Sequence, residues 1–169
     1  DVRLVGSEMC IRDRNFMINP RKNKHIFVFG IFAVDISFYV DKKVKPGETI
    51  IAKGSNIGPG GKASNQAISA RKLGATTTLI TRLGNDNFNS YAKDIWKKEK
   101  LFTSVKIDKN LPTGTAGIFI DKKTGENSVI VDPGASAHLG INDFLSQKSK
   151  MQKGDIFLTQ FEQSSHTTF

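Results

Sequence analysis

The chain has 169 residues, 38% of them hydrophobic and 24% charged, with a net charge of +9: enough for one domain with a sizeable core, in the composition of a water-soluble protein. It has no apolar run long enough to cross a bilayer, so no membrane partner is expected, and its single Cys10 excludes an internal disulfide framework and suits a reducing, cytoplasmic setting. The clusters Arg21-Lys22-Asn23-Lys24, Lys97-Lys98-Glu99-Lys100 and Lys148-Ser149-Lys150 have no interleaved aromatic residues for bases to stack on, so they read as solvated helix ends and loops and no nucleic-acid partner is expected.

Residues 1–16 show neither strand alternation nor a helical period, and they lack the apolar segment of a secretory signal. Met17 reads as a native start, so the leader is set apart as non-native or disordered and the domain is taken as residues 17–169. His25-Ile26-Phe27-Val28-Phe29-Gly30 is a continuous apolar run ending in glycine, the pattern of a strand buried on both faces of a parallel sheet. Ile31 to Val40 stays β-prone and contains one acid, Asp35. Lys45-Pro46-Gly47-Glu48-Thr49 is a turn, and Thr49 to Ala52 a short strand leading into a glycine-rich loop.

A helix is predicted from Lys62 to Leu73, with Ala63, Ala67 and Ala70 on one face and Gly74 as its stop. Thr77 to Leu83 is the next strand. Gly84-Asn85-Asp86-Asn87 then turns the chain, with Asp86 capping a helix whose Phe88, Tyr91, Ala92, Ile95 and Trp96 make an apolar stripe for the core. Ala116 to Ile120 and Ser128 to Val131 pair as a hairpin through residues 121–127. Asp132-Pro133-Gly134-Ala135 is a loop, a short helix runs from about Asn142 to Lys148, and Asp155 to Thr159 is a final strand with Glu162 just beyond it.

Strands alternating with helices predict an α/β domain around a parallel sheet, with the two β-rich inserts forming a small sheet that stands off it as a lid. In open α/β sheets ligands bind beyond the carboxyl ends of the strands. Asp35, the glycine loop and Glu162 each follow a strand and can converge there.

The most informative segment is Gly58-Pro59-Gly60-Gly61-Lys62-Ala63-Ser64-Asn65-Gln66-Ala67. It is not a nucleotide P-loop: the position of that motif's first glycine holds Asn56, and Ala63 follows Lys62 where a Ser or Thr belongs. Two readings remain on the residues alone. The loop only turns the chain, or it grips a small hydroxylated molecule, with glycines for close approach and Lys62 and Asn65 on one helical face.

The order of motifs resembles the ribokinase-like (PfkB-type) carbohydrate kinases. The carrying residues are Gly30 through Asp35, Pro46-Gly47-Glu48-Thr49, Gly60 through Ala67, Leu83-Gly84-Asn85-Asp86, Pro112-Thr113-Gly114, Pro133-Gly134-Ala135 and Thr159-Gln160-Phe161-Glu162. The resemblance runs from about His25 to Glu162. It implies a Rossmann-like parallel sheet flanked by helices with a β-sheet lid, and transfer of the ATP γ-phosphoryl group to a sugar hydroxyl with Mg²⁺. It further implies a monovalent cation such as K⁺ and a homodimer through the lid. Carried over residue by residue, Asp35 would accept hydrogen bonds from the sugar, Gly60, Gly61, Lys62 and Asn65 would line its site, and Glu162 would bind it from the far side.

Two departures matter. The family usually has an Asn two residues before the aspartate, where this chain has Ala33, which puts ribose itself in question; and Ala63 replaces a signature glycine. The family's second signature, a Gly-Ala-Gly-Asp-type segment with the catalytic aspartate and an anion hole, does not occur after Glu162. The chain is therefore expected to be an N-terminal portion whose C-terminal half is missing, with the sugar site and lid but no catalytic residue or metal ligand of its own. The competing classes are a non-catalytic sugar-binding module and a basic nucleic-acid-binding protein.

Overall fold

The computed structural model describes residues 24–163; the expected leader, residues 1–16, lies outside them. Four strands form a parallel sheet in the order β5-β4-β1-β8: β1 (His25–Phe29), β4 (Thr76–Gly84), β5 (Phe102–Asp108) and β8 (Ile156–Thr159). The apolar run of β1 places it centrally: Phe27, Val28 and Phe29 are buried, with side chains alternating between two covered faces. On one face α1 (Lys62–Lys72) and α2 (Asn87–Lys98) pack Ala63, Ala67, Ala92 and Trp96 against Val28, Leu79 and Leu83. The small alanines let α1 lie close to the sheet, and the Trp96 indole donates to Ser64 Oγ at 3.1 Å, joining the two helices. On the other face Phe27, Phe29 and Ile80 meet Leu139, Phe144 and Met151, carried by the short α3 (Ile141–Leu145) and α4 (Lys148–Met151) and the segment before them.

A second sheet, in the order β3-β2-β6-β7, contains β2 (Ala33–Val40), β3 (Gly54–Gly60), β6 (Thr115–Asp121) and β7 (Asn127–Asp132). β2 pairs antiparallel with β3 and parallel with β6, and β6 and β7 form the expected hairpin. All four strands root near Phe32, where Val34 N–H donates to the Gly114 carbonyl at 2.8 Å and Ser136 Oγ donates to the Phe32 carbonyl at 3.1 Å. The α/β class with a parallel sheet plus a second sheet is thus observed.

Some local expectations change. Thr49 to Ala52 is not a strand: Ile51 is 91% exposed and has nothing to pack against. The strand is Gly54–Gly60, so most of the expected glycine loop is a β-strand, in register from Gly60 opposite Ala33 to Gly54 opposite Tyr39. β5 went unread because it is an edge strand mixing Lys106 and Asp108 into its alternation. The loop after Asp132 closes into one 3-10 turn, Gly134–His138, and the single helix expected from Asn142 to Lys148 is two short ones. Among the described residues no helix is long and apolar enough to cross a membrane.

Candidate functional site

At the carboxyl ends of β1 and β8, Gly30 lies against Gln160 and Ala63, and Gly61 lies against Ile31 and Phe32 at the root of the second sheet; we call this junction the crease. Asp35 enters it from the third position of β2, opposite Gly58 and beside Ala116. Its carboxylate lies directly on Gly60: a Cβ at that position would collide with both carboxylate oxygens. Only glycine leaves room for the acid, which makes Asp35 and Gly60 one unit. Burial pushes the Asp35 carboxyl above its ordinary pKa, and among the described residues no hydrogen bond opposes that shift. A half-buried carboxylate without donors of its own is suited to receive hydroxyl groups from a ligand.

Gly61 makes the next turn possible. Its φ of 82° lies in the left-handed region, and a Cβ there would stand 2.7 Å from the Phe32 Cα. The chain can therefore leave β3 and start α1 against the connection between β1 and β2. No side chain caps α1, so its first N–H groups are left without a side-chain acceptor. Lys62, the first residue of α1, forms an ion pair with Glu162, which follows β8. Asn65 sits one turn further on, exposed, its N–H donating to the Gly61 carbonyl at 3.0 Å. The fold thus brings Asp35 against Gly60, sets Gly61 at the helix start, and joins Lys62 to Glu162 across a 100-residue separation. Asn65 shares the Lys62 side of the helix without contacting the others.

Three further groups were not given site roles from sequence. Asp86 caps α2 by accepting from Asn89 N–H at 3.0 Å, and it also accepts from the Thr113 backbone N–H at 2.6 Å and from Thr113 Oγ1 at 2.8 Å. Burial works to raise its pKa, but these hydrogen bonds outweigh it and hold the carboxyl below the ordinary value. The motifs Gly84-Asn85-Asp86 and Pro112-Thr113-Gly114 are therefore two halves of one joint at the base of β6. Arg82, nearly buried, bridges Asp143 at 2.8 Å and Asp108 at 3.4 Å beneath the same end of the sheet. Gln160, also buried, donates to Gln66 of α1 and packs against Gly30. A lone glutamine after a strand carries no sequence signal for such a role.

Among the described residues no cluster of three or more His, Cys, Asp or Glu is placed to bind a metal ion. The glycine-rich segment preceding α1 is committed to the ladder with β2 rather than wrapped around a phosphate.

The sequence profile of the pfkB family carbohydrate kinases matches residues 23–161. The ribokinase of Dictyostelium discoideum is 36% identical over 145 residues, covering 85% of this chain and 45% of that protein. Ribokinase from Thermotoga maritima has a similar structure, with a TM-score of 0.76 at 36% identity, over 86% of this chain and 48% of that one. The structure of Arabidopsis thaliana ribokinase complexed with ribose and ATP gives a TM-score of 0.70 at 28% identity, over 83% and 46%. The chain spans about half the length of the curated relatives it matches.

Proposed function

Because the chain belongs to the pfkB family of carbohydrate kinases, we propose that it is the amino-terminal, acceptor-holding portion of an ATP-dependent kinase for a pentose or related sugar. The observation that carries this reading is the Asp35 carboxylate, half-buried, pressed onto Gly60 and free of internal donors. In this reading Asp35 accepts hydrogen bonds from two sugar hydroxyls. Gly60 and Gly61 let the sugar approach the backbone, Lys62 and Asn65 offer donors from the first turn of α1, and Glu162 closes the far side. A site built around such acceptors discriminates against analogues lacking the hydroxyls, since its buried carboxylate would then stay unpaired. Ala33, buried at the start of β2, offers no amide to the sugar, so the acceptor differs from one that needs an amide there.

ATP and Mg²⁺ would supply the phosphoryl group and its charge neutralisation. Their ligands and the base acting on the sugar hydroxyl belong, in this reading, to the other half of a protein the length of its relatives, and the 169-residue chain alone is inactive. The bound ribose and ATP of the Arabidopsis thaliana protein support a sugar and ATP as the substrate classes here. Exposed Ile57, Val129, Ile130 and Val131 on the second sheet support a homodimer through the lid, and the reading places the protein in the cytoplasm.

The test is ATP turnover by the full-length protein with Mg²⁺ across pentoses, hexoses, sugar acids and nucleosides. Acceptor-dependent ADP release is expected, and its absence across the panel would overturn the proposal. A non-catalytic sugar-binding module is the second reading, motivated by the same retained residues Asp35, Lys62 and Glu162. Calorimetric sugar binding without turnover would select it.

A further inference from the structure

Among the described residues, two side-chain contacts between α1 and the segment after β8 stand out, and they are unequal. One is the ion pair of Lys62 with Glu162; the Lys62 side chain is 67% exposed. The other is the hydrogen bond from Gln160 Nε2 to Gln66 Oε1, with Gln160 only 8% exposed. The residues are spaced as rungs of a ladder: Gln66 is one helical turn after Lys62, and Gln160 is two residues before Glu162. A solvated ion pair is too weak to hold a loop in register by itself. The rung anchored on the buried Gln160 is the one able to set the geometry, although its Gln66 end is exposed.

Gln160 is also held in place on its other sides. Its Oε1 lies against Gly30, where a Cβ would collide with it and with Ala63 Cβ. Its backbone carbonyl accepts from Gln163 Nε2, which also donates to Thr159 Oγ1 at 2.7 Å. One amide therefore touches the end of β1, which leads to Asp35, the first turns of α1, which carry Lys62 and Asn65, and the segment leading to Glu162.

The arrangement has a cost that points to a role. Gln160 Oε1 is buried and has no hydrogen-bond partner among the described residues. Exchanging the amide oxygen and nitrogen would leave a buried N–H group orphaned instead. A methionine would fill the same space without that penalty. A polar side chain kept where an apolar one packs better is a mark of function over stability.

We propose that Gln160 is a positioning residue for the acceptor site: through Gln66 it fixes the segment after β8 against α1 and so sets where Glu162 stands opposite Lys62. The inference rests on the sugar-kinase reading for its consequence and on the geometry above for its cause. In the full-length protein, Gln160→Met should melt at or above the parent temperature yet raise KM for the acceptor roughly tenfold, the loss of about one hydrogen bond's alignment. KM for ATP should stay unchanged. Gln66→Leu should reproduce the effect, and the double variant should be no worse than the more severe single one. An unchanged acceptor KM in Gln160→Met, or a lowered melting temperature with both KM values raised, would overturn the proposal.

A second arm does not need activity. Thermal melts of Lys62→Met, Glu162→Gln and their double variant should show coupling in the parent background and none in the Gln160→Met background. Coupling that persists without Gln160 overturns the inference even if no sugar is turned over, whereas absent turnover with coupling lost overturns only the kinase reading.

Discussion

Replacing Gly60 by alanine isolates the chemistry of the crease from its folding. The added Cβ would occupy the place of the Asp35 carboxylate oxygens, while the Gly60 backbone is not among the left-handed glycines and accepts an L side chain. The acid must therefore swing away, and the strand pairing of Gly60 with Ala33 can persist. A hydrogen bond to a charged group contributes about 1.5–3 kcal/mol. Losing the equivalent of one to two such bonds from the sugar corresponds to roughly 3 kcal/mol, or about 100-fold in acceptor affinity. The assay is acceptor KM and a thermal melt on the same full-length protein: KM should rise about 100-fold while the melting temperature moves little. Gly61→Ala is the matched control. Its alanine meets both a left-handed φ and the Phe32 backbone, so it should destabilise by about 2–4 kcal/mol and lose binding only through unfolding. An unchanged acceptor KM in Gly60→Ala would refute the assignment of Asp35.

Two further outcomes follow from the same geometry. Burial raises the folded-state pKa of Asp35, so its ionised form is disfavoured on folding; its effect on stability becomes more unfavourable as pH rises from the unfolded toward the folded value, and Asp35→Asn should be slightly more stable at neutral pH. Acceptor binding has the opposite pH dependence, because it needs the carboxylate: KM should climb on acidification at a pH above that of an ordinary aspartate, and a KM profile flat into the acid range would contradict this. Asp86→Ala removes the cap of α2 and the carboxylate that accepts from both the Thr113 N–H and Thr113 Oγ1, so it should cost about 3 kcal/mol in denaturant melts, and a cost within about 0.5 kcal/mol would show that the joint at the base of β6 is not stabilising.

Legibility from sequence followed locality. The run His25 to Phe29, the alanines of α1 and the stripe from Phe88 to Trp96 state their burial by spacing, and the structure buries Val28, Ala63, Ala67, Ala92 and Trp96. Asp86 reads as a cap because the acceptor and its N–H are three residues apart. Thr49 to Ala52 and Gly54–Gly60 misled for the converse reason. β-propensity describes fit to a neighbour, and the neighbour that decides is β2, which takes Gly54–Gly60 because small residues there admit the Asp35 carboxylate. β5 escaped notice because an edge strand can carry charges without penalty.

The sequence by itself determined the α/β layering and the starts of the two long helices, and through motif order it proposed the set Asp35, Gly60, Gly61, Lys62, Asn65 and Glu162, because periodicity, glycine placement and motif order act over short stretches of chain. Only the tertiary structure decided which of these touch. It laid Asp35 on Gly60, joined Lys62 to Glu162 across 100 residues of chain, and brought Gln160 under both Gly30 and Gln66. Such contacts depend on how the ends of β1, α1 and β8 pack together, and no local pattern records that packing.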